Sequence, residues 1–181
     1  MFVVMLRGVN VSGHNRLPMA DFAAALSELG FGGVTTYVQS GNAVFSGRGK
    51  PPAVAAMVSR QLAERFELAV PIVVRTADEL RSVLVANPYL GREPDPTRLH
   101  VTFLVAAPEA AAGSIGPPAS AGRDSFDVLG REVYLHCPDG YGRTKLTNDF
   151  FERRFRTTAT TRNWRTVLAL AELCEEQAGG R

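Results

Sequence analysis

From Phe2 to Arg75 the turn and hydropathy signals run strand, helix, strand, strand, helix, strand, and from Leu99 the same order returns. A chain that writes one six-element pattern twice has few ways to fold, because each half must bury its apolar faces in the same manner. Phe2–Leu6 is apolar at every position, as a strand buried on both faces requires. Met19, Phe22, Leu26 and Leu29 recur at helical spacing, with Pro18 at the start and Gly30 at the stop. Thr35 to Gln39 alternates like a half-exposed strand, Ser40-Gly41 is turn chemistry, and Asn42 to Phe45 returns as a second strand. Pro51-Pro52 opens a helix carrying Val54, Met57, Val58, Leu62 and Phe66; Val70 to Arg75 is a fourth strand, whose Pro71 predicts a sheet edge.

This is the element order of a ferredoxin-like plait, in which the first and third strands lie inside the sheet and the fourth at an edge. Thr76-Ala77-Asp78-Glu79 reads as a capping box, so a linking helix follows, running to about Asn87-Pro88. In the second copy, Leu99 to Val105 is a strand and Pro108 to Ala112 a short helix. Ser125 to Leu129 and Glu132 to His136 form a hairpin turning at Gly130-Arg131. Asn148 to Phe155 is a helix and Thr157 to Thr161 a β-branched strand. Asn163 caps a final helix with Trp164, Val167, Leu168, Ala171 and Cys174 on one stripe. The expected architecture is α+β: two tandem ferredoxin-like (βαββαβ) plaits with a linking helix and a C-terminal helix. Residues 1–75 form the first subdomain, 76–98 the linking helix and loop, and 99–181 the second subdomain with the C-terminal helix.

A hydrophobic content of 45% over 181 residues suffices for packed cores, and a net charge of +2 does not by itself point to nucleic acid. The charge is uneven, however. Between residues 141 and 165 seven basic residues stand against two acidic ones, a local balance of +5. Cys137 and Cys174 are too few for a disulfide framework and lack metal-ligand spacing, and the three histidines are scattered, so no metal site is expected. The first apolar run is too short for a signal peptide, and no run approaches the roughly 18 apolar residues of a membrane span. The expected compartment is the reducing cytoplasm, with no membrane partner.

The first and second strands of a plait run parallel, so the loop leaving the first meets the hairpin that follows the second. Asn10, His14, Asn15 and Arg16 are thereby expected near Gln39, Ser40 and Asn42, and with Arg7 they make a set of hydrogen-bonding and cationic groups without a carboxylate, suited to an anionic ligand. His14 is the candidate acid or base of this loop, although an exposed histidine is the plainer reading. Ser40 has no base at a recognisable spacing, which leaves it as turn chemistry or a ligand contact. In the second half, Gly140-x-Gly142-Arg143-Thr144-Lys145 lies between a strand and a helix, the setting in which amides and a cation cradle phosphate. It matches neither the Walker nor the Rossmann pattern, and glycines closing a turn beside solvated Arg143 and Lys145 is the competing reading. Arg162 and Asn163 share an end of the sheet with this loop. No cofactor motif is evident.

The blocks Leu6-Arg7-Gly8-Val9-Asn10-Val11, Gly13-His14-Asn15-Arg16-Leu17-Pro18-Met19, Tyr37-Val38-Gln39-Ser40-Gly41-Asn42, Gly142-Arg143-Thr144-Lys145-Leu146 and Ala159-Thr160-Thr161-Arg162-Asn163-Trp164 resemble the bacterial "domain of unknown function 1697" family. The resemblance spans nearly the whole chain and implies a cytosolic two-plait α+β protein, with no activity to carry over; Thr144 stands where family members often have Ser. Three functions compete. The first is binding of a small phosphate-bearing or other anionic ligand, or of single-stranded RNA; against RNA, Phe2, Phe45 and Phe103 read as buried rather than as stacking platforms. The second is an enzyme for a small phosphorylated or carboxylated molecule, with His14 as acid or base and Arg7, Arg16, Arg143 or Lys145 as anion clamps. The third is an interaction module whose polar loops only rigidify the body. A pocket holding both loop clusters favours the enzyme, an open basic groove favours RNA, and loops fully hydrogen-bonded to each other favour the third; small-anion binding, with catalysis undecided, is the reading preferred from the sequence.

Overall fold

The computed structural model describes residues 1–11, 13–109 and 116–179. Among them are two four-stranded antiparallel sheets and five α-helices. The first sheet holds β1 (Phe2–Leu6), β2 (Gly32–Tyr37), β3 (Asn42–Ser46) and β4 (Ile72–Thr76) in the order β2-β3-β1-β4. The second holds β5 (Leu99–Leu104), β6 (Ser125–Leu129), β7 (Glu132–His136) and β8 (Ala159–Asn163) in the order β6-β7-β5-β8. In each, the first strand of the half is central and the last is an edge. The helices are α1 (Met19–Glu28), α2 (Pro51–Phe66), α3 (Ala77–Ala86), α4 (Asn148–Phe155) and α5 (Trp164–Gly179). None is long and apolar enough to cross a membrane.

Phe2, Val4 and Leu6 of β1 join Phe22 and Leu26 of α1 and Val54, Val58 and Leu62 of α2 in one core, while Val3 and Met5 on the opposite face are equally buried. That double burial is why the run carries no polar residue. Antiparallel pairing of both β1 and β2 with β3 makes β1 and β2 parallel in direction. β4 is an edge strand, and the carbonyl of the preceding Pro71 accepts from Arg7 N at 2.9 Å. Thr76 and Glu79 cap α3 reciprocally, Thr76 N to Glu79 Oε2 at 2.8 Å and Glu79 N to Thr76 Oγ1 at 3.1 Å. In the second core Leu104, Val133 and Leu135 pack with Phe151 and Phe155 of α4.

Several boundaries differ from the sequence reading. β2 ends at Tyr37 because Val38 turns into the left-handed region at φ 50°, so four residues, Val38 to Gly41, connect it to β3 rather than a two-residue turn. β8 begins at Ala159, not Thr157, because its extent is set by pairing with β5, from Leu104↔Ala159 to His100↔Asn163; Thr157 Oγ1 instead accepts from Ala106 N at 3.0 Å. Leu168 leaves the α5 stripe and is exposed, while Leu170 is buried in its place. The helix expected over Pro108–Ala112 falls largely outside the described residues. The chain divides into two compact units, Met1–Arg81 with Ala169–Arg181, and Ser82–Leu168. The C-terminal helix therefore does not belong wholly to the second half. Sixteen residues of helix reach about 24 Å, and in the first unit Gln177 Nε2 donates to Thr35 Oγ1 of β2 at 3.0 Å.

Candidate functional site

In the first unit the β1–α1 loop and the β2–β3 connection do meet. Leu6 N donates to Gly41 O at 2.8 Å. Asn10 adopts φ 55°, which its short amide tolerates, and its side chain joins three backbone groups. Oδ1 accepts from Leu17 N, and Nδ2 donates to Leu17 O and to Gln39 O, each at 2.8 Å. Asn15, at φ 50°, donates from Nδ2 to Gly8 O at 3.0 Å. Asn42, fully buried, donates to Tyr37 O at 3.1 Å and to Ser40 Oγ at 2.9 Å. Gly41 is packed so closely that a Cβ there would lie 2.5 Å from Val9 Cγ2.

These bonds change the role of the sequence-predicted residues. Asn10 and Asn42, expected to contact a ligand, have their amide protons engaged by the scaffold, and Ser40 Oγ receives one of them. Arg7 is half-buried, whereas His14, Arg16 and Gln39 are exposed, with side chains that make no hydrogen bond or ion pair among the described residues. The first loop is thus a stapled structure presenting one cation and one imidazole.

In the second unit the loop after β7 runs through a tight 3-10 turn, Tyr141–Arg143, before Thr147 Oγ1 caps α4 by accepting from Phe150 N. The amides of Gly140, Arg143 and Thr144 donate to Cys137 O, Gly140 O and Tyr141 O, and Leu146 N donates to Thr144 Oγ1. Those four donors close the loop on itself and are not available to an anion. Arg143 and Lys145 are exposed, and neither side chain makes a hydrogen bond or an ion pair within 4 Å among the described residues, although the Arg143 charge reaches Asp139 and helps to lower its carboxyl. Nearby cations differ: Arg123 pairs with Asp139, holding that carboxyl below its ordinary value, and Arg98 lies 3.6 Å from Glu93 and 3.5 Å from Asp95.

Arg162 is buried rather than offered to solvent. It donates to Thr160 Oγ1 at 2.8 Å and Thr161 O at 3.0 Å, and burial pushes its pKa down to about 10. The register also places it across from Val101, on the sheet face opposite His100. Asn163 Oδ1 accepts from Thr166 N at 2.8 Å, the capping role. Sequence reasoning passed over a stack in which Tyr141 covers His100, ring centroids 4.5 Å apart and 23° between planes. His100 is 6% exposed, its Nδ1 has no hydrogen-bond partner, and burial holds its pKa down at about 4. Only a pairing of residues 41 apart in the chain creates this environment, and no local pattern signals it. Burial also raises the thiols, Cys137 to about 12 and Cys174 to about 11, which makes neither a ready nucleophile. Phe2, Phe45 and Phe103 are buried and unavailable to stack on bases. No group of three or more His, Cys, Asp or Glu able to hold a metal occurs among the described residues.

Residues 1–134 match the family described as "Protein of unknown function (DUF1697)". The chain belongs to this family. The match covers the stapled first loop and ends before Gly142–Leu146 and Ala159–Trp164, the two later blocks that carried the resemblance. Among solved structures, the conserved bacterial protein SP0830 from Streptococcus pneumoniae is similar in fold, with a TM-score of 0.74 and 19% identity over 96% of this chain and 97% of that one. A comparison with curated proteins finds no match.

Proposed function

We propose that this DUF1697 chain is a pair of tandem ferredoxin-like plaits that binds a small phosphate-bearing anion through the loop Pro138–Lys145. The plait reading is supported by two sheets with the same strand order, each bearing an arginine at the fourth position of its last strand, Arg75 on β4 and Arg162 on β8. The binding reading rests on one observation above all. Arg143 and Lys145 stand exposed and make no side-chain hydrogen bond or ion pair within 4 Å among the described residues, in the most basic stretch of the chain, while Arg98 and Arg123 close by are paired with carboxylates. Two buried free cysteines accord with a cytoplasmic setting.

Replacing Lys145 by Ala removes a charge-assisted contact worth about 1.5 to 3 kcal/mol, so binding of a phosphate ester weakens roughly tenfold or more. The melting temperature stays within a degree or two, because an exposed, unpaired side chain contributes little to folding. Titration calorimetry with ribose 5-phosphate checks the first expectation and a thermal melt the second. A Lys145→Ala protein that is destabilised yet binds as the parent does refutes the site.

A further inference from the structure

The first unit contains a counterpart of this basic loop that the sequence reading did not single out. Both halves join their third strand to the α-helix that follows it through glycines and cations: Gly47-Arg48-Gly49-Lys50 between β3 and α2, and Gly140-Tyr141-Gly142-Arg143-Thr144-Lys145 between β7 and α4. In the first unit the loop borders an open cleft of about 590 Å³, at the opposite end of the sheet from the stapled loop. That volume suits a small organic molecule. One wall is the end of β3, Ser46, Gly47 and Arg48; Leu29, Phe31 and Met57 supply apolar surface.

The walls are fixed by close packing. Ser46 Oγ donates to Gly32 O at 3.0 Å, and a Cβ at Gly32 would lie only 2.9 Å from that oxygen. A Cβ at Gly47 would lie 2.8 Å from the Phe31 ring, which itself stacks on Phe45 at 4.4 Å. Side chains at these two positions would force the wall to move. Arg48 and Lys50 are exposed, and neither side chain has a hydrogen bond or ion pair among the described residues. A concave, mixed polar and apolar space with a cation in its lining and the side chains of Leu29 and Met57 beside it matches an anionic head on a small organic body.

We infer that this cleft is a second ligand site, taking a small aromatic or aliphatic phosphate monoester with its phosphate on Arg48 and its organic part against Met57 and Leu29. The cleft and its cation belong to the first unit, so the site stands independently of Lys145.

The test uses phenyl phosphate as probe, with inorganic phosphate and phenol as its head-only and body-only halves. Methionine-methyl NMR of the intact protein is the primary readout. Phenyl phosphate is expected to shift the Met57 and Met1 methyl signals and leave those of Met5 and Met19, buried in the core, in place. Either half alone binds at least tenfold more weakly. Arg48→Ala weakens phenyl phosphate tenfold or more, and Met57→Trp, which fills the cleft, abolishes the shift at Met1; both effects persist in a Lys145→Ala background. Unmoved Met57 and Met1 signals, or an Arg48→Ala protein that binds as the parent does, overturn the proposal. Binding that Lys145→Ala removes and Arg48→Ala spares places the ligand in the second unit instead, overturning this site while leaving the loop Pro138–Lys145 standing.

Discussion

His100 shows how far a residue's chemistry is set by what covers it. An imidazole free in water titrates near 6.5, but under Tyr141 burial pushes it down to about 4, opposed by a hydrogen bond with the Arg98 backbone. The unfolded chain therefore binds the proton first. The neutral, buried ring contributes stability that is complete above pH 6.5 and is lost as pH falls toward 4, an amount of about 3 kcal/mol for a shift of this size. Urea melts between pH 7 and pH 4 measure it, and in His100→Phe the part of the slope lying between 6.5 and 4 is expected to vanish. Gly41 is constrained by space instead. At φ +75°, with Val9 Cγ2 2.5 Å from where a Cβ would stand, Gly41→Ala meets both backbone strain and overpacking, an expected loss of about 2 to 4 kcal/mol by chemical denaturation.

Among the elements, the β1–α1 loop is held by side chain–backbone hydrogen bonds rather than by a helix or strand ladder. Its shape depends on Asn10, whose one side chain fastens the loop to itself at Leu17 and to the neighbouring connection at Gln39. Asn10→Ala leaves those three backbone groups without their partner and should cost about 2 to 3 kcal/mol. The loss belongs to folding and not to ligand affinity, so phosphate-ester binding measured well below the mutant's melting temperature stays at the parent value. A fall in affinity without a fall in stability would return Asn10 to the ligand-contacting role that the sequence suggested. Turn chemistry made the loop visible beforehand, and Gly and Asn at its left-handed positions are what such a loop requires. Whether its amides faced outward or inward was not legible, because the acceptor at Gln39 lies 29 residues away.

For the molecule as a whole, the division into two units places the last 13 residues of the chain differently from a simple tandem repeat. The second unit stops at Leu168, and the helix continues into the first. Leu170 is fully buried on that continuation, so Leu170→Ala should cost about 2 to 5 kcal/mol. Hydrogen exchange locates the effect: amides of β2, which Gln177 touches through Thr35, are expected to lose protection. Loss confined to β5–β8 would assign the whole helix to the second unit after all.

The amino-acid sequence determined the order of the elements, the central place of β1, the edge place of β4, the capping box at Thr76 and the turn at Gly130-Arg131. Each is encoded within a few residues, by a two- or 3.6-residue period, a cap or a conformationally special side chain. Tertiary structure decided the rest: where β8 begins, which way Leu168 faces, that Arg162 is buried while Arg143 and Lys145 are exposed, and that Tyr141 closes over His100. These are outcomes of register and packing between segments tens of residues apart. A polar side chain has the same sequence signature whether it bonds to its own scaffold or waits for a ligand, and only the position of its neighbours separates the two.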